Sequence, residues 1–233
     1  MEFLETKYLY IYVLIFALSY PLAQSFEHRI TYYRKWKKLF AGIAAMMVVF
    51  IPWDIWFTDS GVWWFNHDYT SGLRIFLLPI EEWLFFILIP FACFFIYEVL
   101  NYFVKKDLLR QFARPFITVL SISLLVASVI FVDKLYPFVT FLATGILGLV
   151  TVYFNPKWLG RFLLMYFVSL IPFLLVNGIL TGSLIQSPVV NYNPDEIIGF
   201  RIITIPFEDS IYNLMMLLMV MWVYKGFDTE SNA

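Results

Sequence analysis

The chain has 233 residues, of which 61% are hydrophobic, 21% aromatic and only 14% charged. Ordinary soluble domains carry about 25% charged residues, so this composition argues against a water-soluble globule. A net charge of −1 and the lack of any basic block argue equally against a nucleic-acid partner.

A membrane span needs about 20 largely apolar residues. The first such stretch predicts a span from Tyr8 to Phe26. Acidic residues outweigh the one lysine before it and no small-residue cleavage site follows, so it reads as structure and not as a signal peptide. Further spans are predicted at Leu39 to Phe57, Leu73 to Phe103, Phe116 to Val132, Leu135 to Phe154, Phe162 to Leu180 and Ile202 to Tyr224. Asp133-Lys134 leaves room only for a tight turn between the fourth and fifth. The expected fold is an all-α, polytopic membrane bundle of seven transmembrane helices.

Lysine and arginine fall unevenly between the two sets of loops. Twelve lie after spans one, three, five and seven, against four (Lys7, Arg74, Lys134 and Arg201) on the other face. That bias predicts a multi-pass protein of the cell membrane with its N-terminus outside and its C-terminus in the cytoplasm. Cys93 is the lone cysteine, and His28 and His67 stand far apart, so neither an internal disulfide nor a metal site is expected.

The chain also repeats itself. Gly72-Leu-Arg74-Ile75-Phe-Leu-Leu-Pro79-Ile-Glu81-Glu82 recurs as Gly199-Phe-Arg201-Ile202-Ile-Thr-Ile-Pro206-Phe-Glu208-Asp209, 127 residues later and without a gap. The same offset carries spans one, two and three onto five, six and seven and leaves span four without a counterpart. The architecture predicted is 3+1+3: a first repeat over 1–104, a linker with a connecting helix over 105–134, and a second repeat over 135–233. Four spans separate equivalent positions, so the repeats run parallel.

Each motif sets two acids against an apolar run, at a cost of about 2.5 to 3.5 kcal/mol for a charge at mid-membrane. Pro-x-Glu-Glu suits a helix start, with acids in the first turn favoured by the helix dipole. Alternatively the helix begins near Gly72 and kinks at Pro79, which would place Arg74 and Glu81 on one face. Pairing with Arg74 and Arg201 solely to lock helices is the structural reading. The functional reading is that confined carboxyls cannot all ionise, so one keeps a proton and serves as a general acid. Gly178-x-x-x-Gly182 reads as a helix-packing motif. Glu98 is expected at the membrane interface, and Asp195-Glu196 in a solvated loop.

The paired P-x-E-[ED] motifs in a small seven-span chain resemble the flavin-free lycopene cyclases. These occur as heterodimers of three-span subunits, as single-chain fusions, or as the cyclase half of fungal bifunctional proteins, and the likeness here is to the fused form. Trp53-Asp54, Gly61-Val-Trp63-Trp64-Phe65-Asn66 and Asn177-Gly-Ile-Leu-Thr181 extend the resemblance.

The resemblance implies conversion of lycopene end groups to β-ionone rings by protonation, ring closure and proton loss, without redox change. It names Glu81, Glu82, Glu208 and Asp209 as proton donors and acceptors, with Asp54 as a relay. Arg74 and Arg201 are expected to hold and tune the carboxylates, and Trp53, Trp56, Phe85, Phe86, Asn177 and Tyr212 to line the substrate site. Aromatic rings there would stabilise a cation, although Trp53, Trp56, Trp63 and Trp64 also suit an interfacial belt. No cofactor is expected, and the partners implied are lycopene, carotenoid intermediates, membrane lipid and other carotenoid enzymes. No G-x-G-x-x-G follows a strand, which argues against a flavin-dependent cyclase. A retinal protein would need a lysine midway along the last span, and Lys225 is at its end. A carotenoid end-group hydratase and a small proton-coupled transporter remain open alternatives.

Overall fold

The computed structural model describes residues 4–230, so the outermost ends of the two predicted repeats, 1–3 and 231–233, lie outside it. It is all-α, with α1 (Leu9–Gln24), α2 (Trp36–Asp59), α3 (Ile80–Phe103), α4 (Arg110–Ile130), α5 (Leu135–Phe154), α6 (Leu159–Leu180) and α7 (Phe207–Glu230). Six of these are long and apolar enough to cross a membrane, as the composition predicted for a membrane protein. The exception is α1, whose 16 residues reach only about 24 Å against a hydrocarbon core of about 30 Å. Phe131 to Lys134 make the tight turn expected between α4 and α5.

Spans three and seven begin later than the hydropathy predicts. Strands β2 (Arg74–Ile75) and β3 (Leu78–Pro79) occupy the difference before α3, and β5 (Arg201–Ile202) and β6 (Ile205–Pro206) that before α7, while β1 (Trp63–Phe65) and β4 (Val190–Tyr192) lie further upstream of each. Strands β2 and β3 form one antiparallel hairpin, and β5 and β6 another. Their two-residue turns need positive φ at the first central residue, and Phe76 (φ 56°) and Ile203 (φ 60°) both adopt it. Pro79 is extended, with ψ 151°, and α3 starts just after it. Of the two geometries left open by the motif, the helix start is therefore the one adopted.

The repeat reaches the backbone in detail. Gly72 and Gly199 both have φ near 90°, at 87° and 90°. The Ile80 N–H donates to Leu73 O, and the Phe207 N–H donates to Phe200 O. Strand β1 pairs antiparallel with β4 about the Trp64–Asn191 pair, with Trp63 opposite Tyr192 and Phe65 opposite Val190. Trp64 and Asn191 are 127 apart, so this ribbon joins equivalent segments about a local twofold axis. The helices interleave correspondingly: α2 packs on α7 and α6 on α3, while α1 lies against α3 and α5 against α7.

Small residues set the closest approaches. A Cβ on Gly42 of α2 would lie 2.8 Å from the Val220 carbonyl oxygen of α7, and one on Gly145 of α5 would lie 2.8 Å from Leu125 Cγ of α4. Gly182, predicted to pack helices, instead sits past the end of α6 with φ 103°. Gly42→Ala is thus expected to destabilise the bundle by about 1–3 kcal/mol through overpacking. Gly226 is helical with open space around it, so Gly226→Ala should stabilise slightly. Thermal unfolding in detergent would show the opposite signs; equal effects would contradict the α2–α7 contact.

Two polar residues are less exposed than their sequence setting suggests. Glu98 is buried, accepting a 2.6 Å hydrogen bond from Tyr224 and pairing with Lys35. It ties α3 to α7 and to the segment before α2. Glu196 is not simply solvated: its carboxylate accepts from the Leu135 N–H at 2.7 Å and caps the start of α5.

Candidate active site

The two acids of each motif point to different places, because adjacent helical positions are about 100° apart. Glu81 and Glu208 turn back toward their own loops. Glu81 Oε1 accepts from the Ser71 N–H at 2.6 Å, and Glu208 Oε1 from the Ile198 N–H at 2.6 Å. Both acids are fully buried, and the second carboxylate oxygen of each has no protein partner. They fasten each hairpin segment to the helix that follows it.

Glu82 and Asp209 instead face one small cavity of about 60 Å³, shared between the repeats. Tyr10 of α1 donates to Glu82 Oε2 at 2.6 Å. Tyr136 of α5 donates to Asp209 Oδ1 at 2.7 Å. These two tyrosines occupy matching places in the two repeats. Tyr192 of β4 donates to Asp209 Oδ2 at 2.8 Å, and Asn177 Nδ2 of α6 lies 3.3 Å from the same oxygen. Burial, and then the adjacent Asp209 carboxylate, pushes the Tyr192 phenol well above its ordinary pKa, so it remains a donor.

A third carboxyl joins them. Asp54 of α2 accepts from Trp63 Nε1 at 2.7 Å and leaves its other oxygen without a protein partner on the cavity wall. Tyr212 and Asn213 also line the cavity, and the Tyr212 hydroxyl and the Asn213 amide lack protein partners. Aromatic rings close the walls, with Trp63 centred 5.1 Å from Tyr136 and 6.1 Å from both Tyr192 and Tyr212. Among the described residues no lysine or arginine forms an ion pair with Asp54, Glu82 or Asp209.

Several expected site residues lie elsewhere. Arg74 and Arg201 do not hold the carboxylates; each reaches across its own hairpin turn, Arg74 Nη1 to Leu77 O at 3.5 Å and Arg201 Nη1 to Thr204 O at 2.6 Å. Arg74 also approaches the His67 ring, and Arg201 lies over the Tyr192 ring at 5.7 Å. Trp56 is 47% exposed and does not line the cavity. Trp53 and Phe86 are core residues that pack behind it, against Tyr212 and Phe50 respectively. Phe85, Asn177 and Tyr212 do line it. Tyr10, Tyr136 and Tyr192 were not anticipated, although the repeat offset applied to α1 brings Tyr10 to within one residue of Tyr136.

In this all-α membrane protein, acids from two repeated segments meet among phenols and indoles in one cavity. A family model described as lycopene cyclase matches residues 7–100 and 133–227, and the chain belongs to that family. The matched stretches begin 126 and end 127 residues apart, and Tyr10 and Tyr136 are themselves 126 apart. No curated protein and no solved structure matches the chain. Membership supports a lycopene-cyclising enzyme of carotenoid biosynthesis, with lycopene or a related carotenoid as substrate.

Proposed function

We propose that this protein is a lycopene β-cyclase of the fused type, working by a proton-initiated, redox-neutral reaction inside the membrane. The observation that carries the reading is the meeting of Glu82 and Asp209, one from each motif copy, on a single aromatic-walled cavity, with no lysine or arginine ion-paired to either among the described residues. In this reading α1 completes seven spans arranged 3+1+3, with the repeats over 1–104 and 135–233 and the N-terminus outside. The short α1 then sits in a locally thinned bilayer.

Glu82 or Asp209 donates a proton to C2 of the terminal alkene, leaving a tertiary cation at C1. The C5=C6 electron pair forms the C1–C6 bond and moves the cation to C5. Loss of the C6 proton to the other carboxylate restores the double bond as a β-ring. No electron is gained or lost. The phenols of Tyr10, Tyr136 and Tyr192 orient the carboxyls, and Asp54 relays protons to the cluster. Trp63, Tyr136 and Tyr212 face the migrating cation, each ring contributing about 0.5 to 2 kcal/mol. Glu81 and Glu208 act at one remove, by fixing the helix starts that aim their neighbours.

Expression in lycopene-accumulating cells tests the reading by carotenoid chromatography, with the reaction then run in D₂O. A cyclic product carrying deuterium at ring C2 is expected, without added flavin or nicotinamide. Cyclic product lacking that label would rule out direct protonation of the alkene. A hydroxylated acyclic product would identify a hydratase, and unchanged lycopene would leave a transporter as the better reading.

A further inference from the structure

A second, larger cavity of about 300 Å³ runs between α1, α3 and α6. Its walls are almost wholly apolar, from Phe16 and Ala17 through Ile89 and Ala92 to Pro172 and Val176. Phe16 and Leu175 at its rim are 73% and 64% exposed, so it opens on the surface that a spanning bundle presents to lipid. Phe85, Phe173 and Asn177 line both this groove and the acid cavity. The two spaces meet at this shared wall.

The repeat-related position is closed. Ser169, Phe173, Ile89 and Cys93 of the groove correspond, 127 residues apart, to Gly42, Met46, Met216 and Val220. There Met46, Met216 and Val220 are buried, and Gly42 brings α2 against the Val220 backbone. Helix α4 also covers α5, whereas α1, its equivalent, leaves Phe16 and Tyr20 exposed. The twofold symmetry of the site is therefore broken at its approach.

We propose that the polyene chain of the carotenoid substrate lies in the α1–α3–α6 groove, and that an end group reaches Glu82 and Asp209 from this side alone, between Phe85 and Phe173. The acid cavity by itself, at about 60 Å³, is well below the roughly 150 Å³ that holds a single benzene ring, too little for an end group with its chain. From Phe85 to Ile96 the groove follows α3 for about 16 Å at the helical rise, room for an extended hydrocarbon segment. The identity of the occupant rests on the lycopene-cyclase reading; the placement of the groove does not.

Pigment retention by the catalytically disabled Glu82→Gln variant tests this apart from turnover. The variant, purified from lycopene-accumulating cells, is expected to retain lycopene, read by its visible absorbance per protein. Adding Ala92→Trp, which fills the groove, should lower retention roughly tenfold, while adding Val48→Trp on the exposed face of α2 should not change it. A photocrosslinking residue in place of Leu175 should capture lycopene in native membranes, a readout that stands if Ala92→Trp fails to fold. Retention unchanged by Ala92→Trp, or crosslinks to phospholipid acyl chains instead of lycopene, would overturn the proposal. Groove-dependent retention in a protein whose wild type forms no ring would uphold the groove and remove the cyclase reading. A wild type that cyclises while the groove proves irrelevant would do the reverse.

Discussion

Asp209→Asn and Glu82→Gln are each expected to abolish ring formation, with losses on the order of 10²- to 10⁴-fold, the range for a positioned general acid or base. Each substitution keeps the size of the side chain but removes its exchangeable carboxyl proton. Asparagine at 209 can still accept from Tyr136 or Tyr192 through its one carbonyl oxygen, so the bundle should remain folded. Glu208→Gln makes the contrast. Its carbonyl oxygen can replace the carboxylate oxygen that accepts from the Ile198 N–H, and its side chain lies outside the cavity lining. Activity within roughly tenfold of wild type is expected, the loss coming from the weaker neutral hydrogen bond. Carotenoid chromatography at matched expression measures all three. A Glu208→Gln loss as deep as that of Asp209→Asn would place Glu208 in the chemistry and dissolve the division between the two acids. Near-normal product from Asp209→Asn would remove the general-acid role from that residue.

That division was only half legible in the sequence. The doubled P-x-E-[ED] motif and its 127-residue offset marked the site because charges inside apolar sequence are costly and conspicuous. Which acid of each pair faces the cavity depends on where the helix starts, and hydropathy cannot place that start. Leu-Arg-Ile-Phe-Leu-Leu reads as the beginning of a span, yet it folds as a hairpin whose apolar tip is exposed, with Phe76 76% accessible. Gly72 before it and Pro79 after it were the local signals for a turn. The arginines misled for a related reason. Charge complementarity suggested ion pairs with the acids, but a guanidinium three residues from its turn carbonyl finds an acceptor locally. Tyr10 and Tyr136 lie 72 and 73 residues from the acids they hold. Contacts at that separation leave no periodic trace, and a fixed offset of 127 misses the pair by one residue. Each predicted apolar run folds as an α-helix, six of them long and apolar enough to cross a membrane, since long apolar runs dominate local preference.

Disabling either motif copy is expected to stop both rings from forming, not one. Glu82 comes from α3 and Asp209 from α7, and both line the same cavity across the local twofold axis. Asp54 of α2 and Asn177 of α6 join them from opposite repeats, so neither half encloses a complete set of groups. The β1–β4 ribbon, which pairs Trp63 of one half with Tyr192 of the other, brings the indole that holds Asp54 beside the phenol that holds Asp209. The proton is delivered at C2 and removed at C6, two different carbons, and in the proposed mechanism the two carboxyls divide those positions between them. A two-ended substrate must then be released and turned between rounds. Under this arrangement Glu82→Gln and Asp209→Asn each leave lycopene uncyclised, and the double variant is no worse than either alone, the non-additivity of groups that act as a unit. Time courses of monocyclic and bicyclic product in each variant measure it. If one single variant forms monocyclic product at close to the normal first-ring rate while the second ring alone is missing, each motif copy serves its own substrate end and the shared site is wrong.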